Sequence, residues 1–227
     1  MPHNAEEYDA IAERLFAPIY PVIARAIAER TGKRTGRVLD VGCGGGHLAI
    51  AVLREGRFDH LTLLDENAEA LEMARARVES GLSGEACAPE SLSVCCSDVC
   101  APDLAERADG PFDLIVSRGS MPFWDDQETA FANLYGLLAP GGVAYVGGGM
   151  GSTALRKQIG AQMAKIRERN GGEGPQMFDM SKSKALPTED YVALFGRLGA
   201  KCTVIANEEE GRWFMFEKLA SPEGSAR

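Results

Sequence analysis

The chain has 227 residues, enough for one α/β domain with a full core and too few for two. Its composition, 45% hydrophobic and 25% charged, is that of a globular protein. The formal net charge of −9 repels a phosphate backbone, which disfavours non-specific nucleic-acid binding but still permits a local basic patch. Glu6, Glu7, Asp9, Glu13 and Arg14 interrupt the start of the chain, so no signal-peptide core and no membrane span are expected. The cytoplasm is the expected compartment, with Cys43, Cys87, Cys95, Cys96, Cys100 and Cys202 as thiols.

In chain order, apolar residues at helical spacing predict helix over 5–30, kinked or divided near Pro18 and Pro21. Short apolar runs then alternate with helical stretches. Strands are predicted at 37–41, 60–64, 91–96, 112–116 and 143–146, with helices from 47, over 68–78 and over 128–138. Pro140-Gly141-Gly142 is predicted to form a turn ahead of the fifth strand. This alternation points to a parallel sheet with helices on both faces. Near the end, Thr188 is expected to cap a helix stopped by Gly199. Strands at 201–206 and 213–217 follow, linked too briefly for a crossover helix, so they should pair antiparallel.

Residues 148–187 fit no regular βα unit. They carry a Gly-rich opening, a predicted helix over 153–169 and a loop, and read as a cover over a site. The domain reading is therefore one unit over 1–220. It comprises an N-terminal helical lid (1–35), a cofactor-binding core (36–147), the cover (148–187) and a last helix with hairpin (188–220), with a disordered tail at 221–227.

The run Val38-Leu39-Asp40-Val41-Gly42-Cys43-Gly44-Gly45-Gly46 follows a strand and opens a helix. Glycines there permit a tight turn and let a ligand approach the backbone. A dinucleotide fingerprint would need a third glycine where His47 stands, so that reading loses ground. Asp65 ends the second strand and can accept from both hydroxyls of a ribose. Asp98 follows the third strand and can accept from an adenine amino group.

Asp40-x-Gly42-x-Gly44-x-Gly46, Asp65, Ser97-Asp98-Val99, Phe112-Asp113-Leu114-Ile115-Val116 and Leu138-x-Pro140-Gly141-Gly142 stand in a shared order and spacing. Through them, residues 36–147 and the final helix and hairpin resemble the class I S-adenosylmethionine-dependent methyltransferases. The resemblance implies an α/β fold of three layers, Rossmann-like. Its seven-stranded sheet would have the order 3-2-1-4-5-7-6 with strand 7 antiparallel, supplemented by N-terminal helices and an inserted cover. It implies S-adenosyl-L-methionine as cofactor, held by Asp40, Gly42, Gly44, Gly46, Asp65, Glu66, Asp98, Val99 and Ser117. More locally, the N-terminal segment with Tyr8 and Tyr20 resembles the small-molecule branch that includes ubiquinone and menaquinone methyltransferases. The Asn/Asp-Pro-Pro-Tyr/Phe motif of many amino-group methylases is replaced by residues 117–124. The expected partner is thus a small molecule, without nucleic acid; a homodimer is left open.

Candidate acceptor contacts are Arg118, Tyr20, Phe123 and Trp124. Arg118 could present its fork to an anion or pair with Asp125 or Asp126. Phe123 and Trp124 could stack on a planar acceptor or belong to the core. No residue is singled out as catalytic. His47 opens the first helix of the core, His60 reads as structural, and His3 lies near the terminus. Basic residues at 156, 157, 165, 167, 169, 182 and 184 hint at an anionic substrate or form a solvated face, and Met150, Met163, Met177 and Met180 could make an adaptable pocket. Cys95, Cys96 and Cys100 lack metal-ligand spacing, so no metal is expected. The rival readings are a non-catalytic S-adenosylmethionine binder and an NAD-type oxidoreductase.

Overall fold

The computed structural model describes residues 5–176 and 183–220; His3, Met177, Met180, Lys182 and the tail at 221–227 lie outside them. The chain opens with α1 (Ala5–Ile11), a π-helical turn (Ala12–Phe16) and α2 (Ile19–Thr31). Pro18 precedes α2 and marks the break. Pro21 does not kink anything, because it sits in the first turn of α2, where a backbone N–H has no intrahelical partner.

The alternating units follow: β1 (Thr35–Val41), α3 (His47–Arg54), β2 (Arg57–Asp65), α4 (Ala68–Gly81), β3 (Ser91–Cys96), α5 (Leu104–Arg107) and β4 (Phe112–Arg118). A 3-10 turn (Met121–Phe123), α6 (Gln127–Leu137), β5 (Leu138–Gly148) and α7 (Thr153–Arg169) come next, then α8 (Thr188–Arg197), β6 (Lys201–Asn207) and β7 (Gly211–Glu217). The sheet order is β3-β2-β1-β4-β5-β7-β6. The first five strands run parallel, and β7 pairs antiparallel with both β5 and β6.

Period-two alternation builds the three layers. Val38, Leu61, Leu63, Leu114, Val116 and Tyr145 point to one face and pack with α2, α3, α4 and α7. Leu39, Leu64, Ile115, Ala144 and Val146 point to the other and pack with α5, α6 and α8. Phe131 of α6 centres this second layer, edge-on to Trp124, Tyr191, Phe195, Phe214 and Phe216. Inner strands buried on both faces read as apolar runs, which is why β1, β2 and β4 stand out in the sequence.

Two local expectations are corrected. Pro140-Gly141-Gly142 does not precede the fifth strand but lies inside it: Leu138 already pairs with Phe112, the register shifts before Val143, and the Gly141 amide donates to the Lys218 carbonyl at 2.7 Å. Thr188 does not cap α8; the N-cap is Pro187, without a side-chain cap bond, and Thr188 is the first helical residue. The four-residue α5 was too short to show a helical period.

Candidate active site

The glycine turn leaves the carboxyl end of β1 and delivers the chain into α3. Gly42, Gly44 and Gly46 all have positive φ, at 62°, 49° and 79°. Their surroundings differ. A Cβ on Gly42 would collide with Ser120, and one on Gly46 would press on Ala74 of α4; a Cβ on Gly44 would meet nothing within 4 Å. The first and third glycines therefore serve packing, and Gly44 keeps an open backbone face.

Asp65, at the end of β2, ties this turn to the neighbouring strand. Its Oδ2 accepts from the Gly44 amide at 2.9 Å and its Oδ1 from the Asn67 amide at 3.0 Å. Each oxygen retains acceptor capacity for a hydroxyl. Glu66 is exposed beside it, and its carbonyl accepts from the Cys96 thiol at 3.6 Å. The Ser97 amide donates to the Asp65 carbonyl, which sets the next loop alongside. There Asp98 is exposed and accepts from the Cys100 amide at 2.8 Å, while Val99 is buried. Asn133 bonds the carbonyls of Val99 and Ala101 and holds that loop in place. Ser117 is buried at the end of β4, its hydroxyl 2.6 Å from that of Ser120.

A cavity of about 40 Å³ lies between the glycine turn and the N-terminal segment. Ala12 and Tyr20 form one wall; Asp40, turn 42–45, His47, Leu48 and Arg118 form the rest. Asp40 is fully buried and its Oδ2 has no hydrogen-bond partner. Burial pushes its carboxyl up to about 8, with the Ala49 amide pulling the other way and Asp65 adding to the rise.

Arg118 is not paired with Asp125 or Asp126. Asp125 pairs with Lys184, and Asp126 caps α6. The Arg118 guanidinium lies over Phe16 and Tyr20, 5.3 and 5.5 Å from the ring centres, and its Nε donates to the Gly149 carbonyl at 3.2 Å. Of the four candidate acceptor contacts, the fold brings Arg118 and Tyr20 together on this cavity. Trp124, 7% exposed, packs into the second core layer, and Phe123 is 53% exposed at the surface.

Three residues that the sequence did not group also meet here. Asp9 of α1 accepts from His47 Nε2 at 2.9 Å and from Arg77 of α4 at 2.9 and 2.6 Å. Burial and the Arg77 cation push His47 down from its ordinary value, although Asp9 pulls it up. Burial works against the Asp9 carboxylate, yet Arg77 and His47 outweigh it and hold its pKa low. His60 bonds Ser91 and Thr62 far from this cavity, as a structural residue would.

A larger cavity, about 320 Å³, opens near the end of α2 and the starts of β5 and β6, lined among others by Arg30, Lys201 and Glu217. It includes Gly141 of the Pro-Gly-Gly motif but none of the candidate cofactor or acceptor residues, so the smaller cavity is the candidate site. Among the described residues, no group of three His, Cys, Asp or Glu side chains could hold a metal ion. Cys95 is buried and Cys96 exposed, on opposite faces of β3.

Residues 38–142 match the family described as a methyltransferase domain. The chain thus carries a methyltransferase domain over these residues, built on a Rossmann-like sheet. It is similar over nearly its whole length to a proposed S-adenosyl-L-methionine-dependent methyltransferase from Methanococcus maripaludis. The two share 29% identity and a TM-score of 0.74, over 98% of this chain and 99% of that one. A Clostridium acetobutylicum S-adenosylmethionine-dependent methyltransferase shares the fold at 15% identity, with a TM-score of 0.62 over 95% and 99% of the two chains. Among curated proteins, the chain is 36% identical over 104 residues to the ribosomal RNA small subunit methyltransferase C of Klebsiella pneumoniae. That stretch is 45% of this chain and 26% of that protein, so the chain spans about a quarter of the relative's length.

The residues present fit S-adenosylmethionine. The orphaned Asp40 oxygen suits an ammonium group, the bare face of Gly44 admits a ligand against the backbone, and the Asp65 oxygens suit ribose hydroxyls.

Proposed function

We propose that the chain transfers a methyl group from S-adenosylmethionine to a small acceptor with an anionic or planar group, held at the carboxyl ends of β1 and β4. In this reading Asp40, the glycines at 42, 44 and 46, and Ser117 surround the methionine end of the cofactor. Asp65 with Glu66 takes the ribose, and Asp98 with the Val99 amide takes the adenine. The bound cofactor supplies a methyl group on a positively charged sulfur. The protein's contribution is alignment and exclusion of water, since the leaving group needs no further activation. The N-terminal segment acts as lid over 1–35, and residues 148–187 act as cover.

The observation that carries the acceptor class is Arg118. Its guanidinium faces two aromatic rings and a carbonyl and pairs with no carboxylate among the described residues, so it retains donors for an anionic group. Tyr20 supports this contact. Phe123, exposed at the surface, is the remaining candidate for stacking, while the packing of Trp124 favours a core role.

A second reading is methylation of RNA. Two observations favour it: the ribosomal RNA methyltransferases among the relatives, and the five exposed or half-exposed basic residues of α7, Arg156, Lys157, Lys165, Arg167 and Arg169, none of which is paired with an acid among the described residues. Transfer of labelled methyl from S-adenosylmethionine separates the two. The chain is offered a pool of small carboxylated and aromatic metabolites in one arm and 16S ribosomal RNA or small subunits in the other. Label in the small-molecule fraction supports the first reading; label in RNA alone overturns it.

A further inference from the structure

The cofactor reading so far uses residues of the glycine-loop domain. The wall opposite comes from the N-terminal segment, outside the matched residues 38–142, and one side chain there is held unlike the other acids among the described residues. Asp9 is 8% exposed and accepts three hydrogen bonds: one from His47 Nε2 and two from the Arg77 guanidinium. Among the described residues, the ion pairs that do not involve Asp9 all have at least one exposed partner, and pairs such as Arg75 with Glu79 or Arg197 with Glu128 are exposed on both sides and screened. Asp9 is also seated directly on the glycine turn. A Cβ at Gly45 would collide with its Oδ1, and Arg77 Nη1 donates to the Gly45 carbonyl as well. The absence of a side chain at Gly45 thus makes room for a carboxylate rather than for a ligand.

From Asp9 the contacts continue into the cavity as one stack. His47 lies on Tyr20 with ring centres 5.2 Å apart and planes 14° from parallel. Tyr20 in turn lies under Arg118 at 5.5 Å, and Phe16 under the same guanidinium at 5.3 Å. His47, Tyr20 and Arg118 all line the cavity with Asp40. The cavity's 40 Å³ holds a few water molecules and not an amino-acid tail, so a ligand there needs this wall to move outward.

We propose that Asp9 is a positioning residue of the cofactor pocket: through Arg77 and His47 it clamps the N-terminal segment onto the glycine turn, and the clamp yields when the methionine end of the cofactor enters or leaves. The proposal rests on the S-adenosylmethionine reading of this cavity.

The test follows S-adenosylhomocysteine binding and release by surface plasmon resonance on the full chain and on Asp9→Asn, which keeps the shape and removes the charge. The expected result is a dissociation rate at least tenfold faster in the variant, with an association rate changed less, and a partial return toward the wild-type rate in Arg77→Lys relative to Arg77→Met. A purely structural role would lower the melting temperature and leave the dissociation rate of the folded fraction within twofold, which overturns the proposal. Should Asp9→Asn not fold, hydrogen exchange of residues 5–20 in the wild type decides. Slower exchange with S-adenosylhomocysteine supports the clamp, and unchanged exchange refutes it. Loss of ligand binding in the wild type itself would sink the cofactor reading together with the clamp; intact wild-type binding with an indifferent Asp9→Asn sinks the clamp alone.

Discussion

The amide of Gly44 donates to Asp65 Oδ2 at 2.9 Å, so the turn after β1 and the end of β2 form one rigid unit. Two residues 21 positions apart in sequence are thereby fixed against each other before any ligand arrives, which lowers the ordering cost of binding.

Removing that carboxylate is expected to abolish cofactor binding with little effect on the fold. Asp65→Ala should weaken S-adenosylhomocysteine at least 100-fold, about 2.7 kcal/mol, by calorimetry. Asp65→Asn, which keeps one acceptor, should lose less. Affinity within threefold of wild type in the alanine variant would remove Asp65 from the site.

Gly42 and Gly44 should fail differently. Gly42→Ala places a Cβ against Ser120 at a φ of 62°, so it should destabilise the fold by more than the roughly 1–2 kcal/mol of the left-handed conformation alone. Gly44→Ala meets open space, so its cost should be only that backbone term, with the larger loss in ligand affinity. Thermal and urea unfolding, paired with ligand titration, distinguish the two; equal losses in both assays would contradict the assignment.

Asp40 makes stability and binding depend on pH in opposite senses. Its folded pKa, about 8, lies above the ordinary 3.8, so its contribution to stability is complete below about pH 4 and fades as pH rises through 8. Asp40→Asn should therefore gain melting temperature relative to wild type as the buffer moves from pH 5 to pH 9. If an ammonium group docks on Asp40, S-adenosylhomocysteine should bind more tightly from pH 6 to pH 8, by up to tenfold per pH unit, and Asp40→Asn should flatten that slope. A wild-type affinity independent of pH would separate Asp40 from the ligand's ammonium.

Neighbours in sequence, Phe123 and Trp124, should part company. Trp124→Ala removes a buried ring set edge-on to Phe131 and should cost about 3–5 kcal/mol of stability, with cofactor affinity unchanged. Phe123→Ala should leave the melting temperature within about 2 °C, since surface changes usually stay within about 0.5 kcal/mol. A stability loss from Phe123→Ala as large as that from Trp124→Ala would contradict this division.

Much of the parallel core was readable because its signals are local. Residues 91–96 and 153–169 carry their periods within single elements, and the inner strands hold short apolar runs because both faces are covered. The terminal hairpin followed from a link too short for a crossover. The sheet order came from the resemblance carried by the glycine, acidic and Pro-Gly-Gly motifs, and pairing register confirms it. Pro140-Gly141-Gly142 and Thr188 misled, because strand pairing with Phe112 and Lys218 overrode turn chemistry in one case and the N-cap fell one residue early in the other.

The amino-acid sequence alone thus determined the class of fold, the glycine turn and the two acids at the end of β2 and after β3, since each depends on residue type at short spacing. Only the tertiary structure decided which side chains share the cavity. Asp9 meets Arg77 across 68 positions, Arg118 lands on Phe16 and Tyr20, and Asp40 is buried to 1% exposure. These relations are set by how α1 and α2 close over the carboxyl edge of the sheet, and no local period encodes the packing of one element onto another.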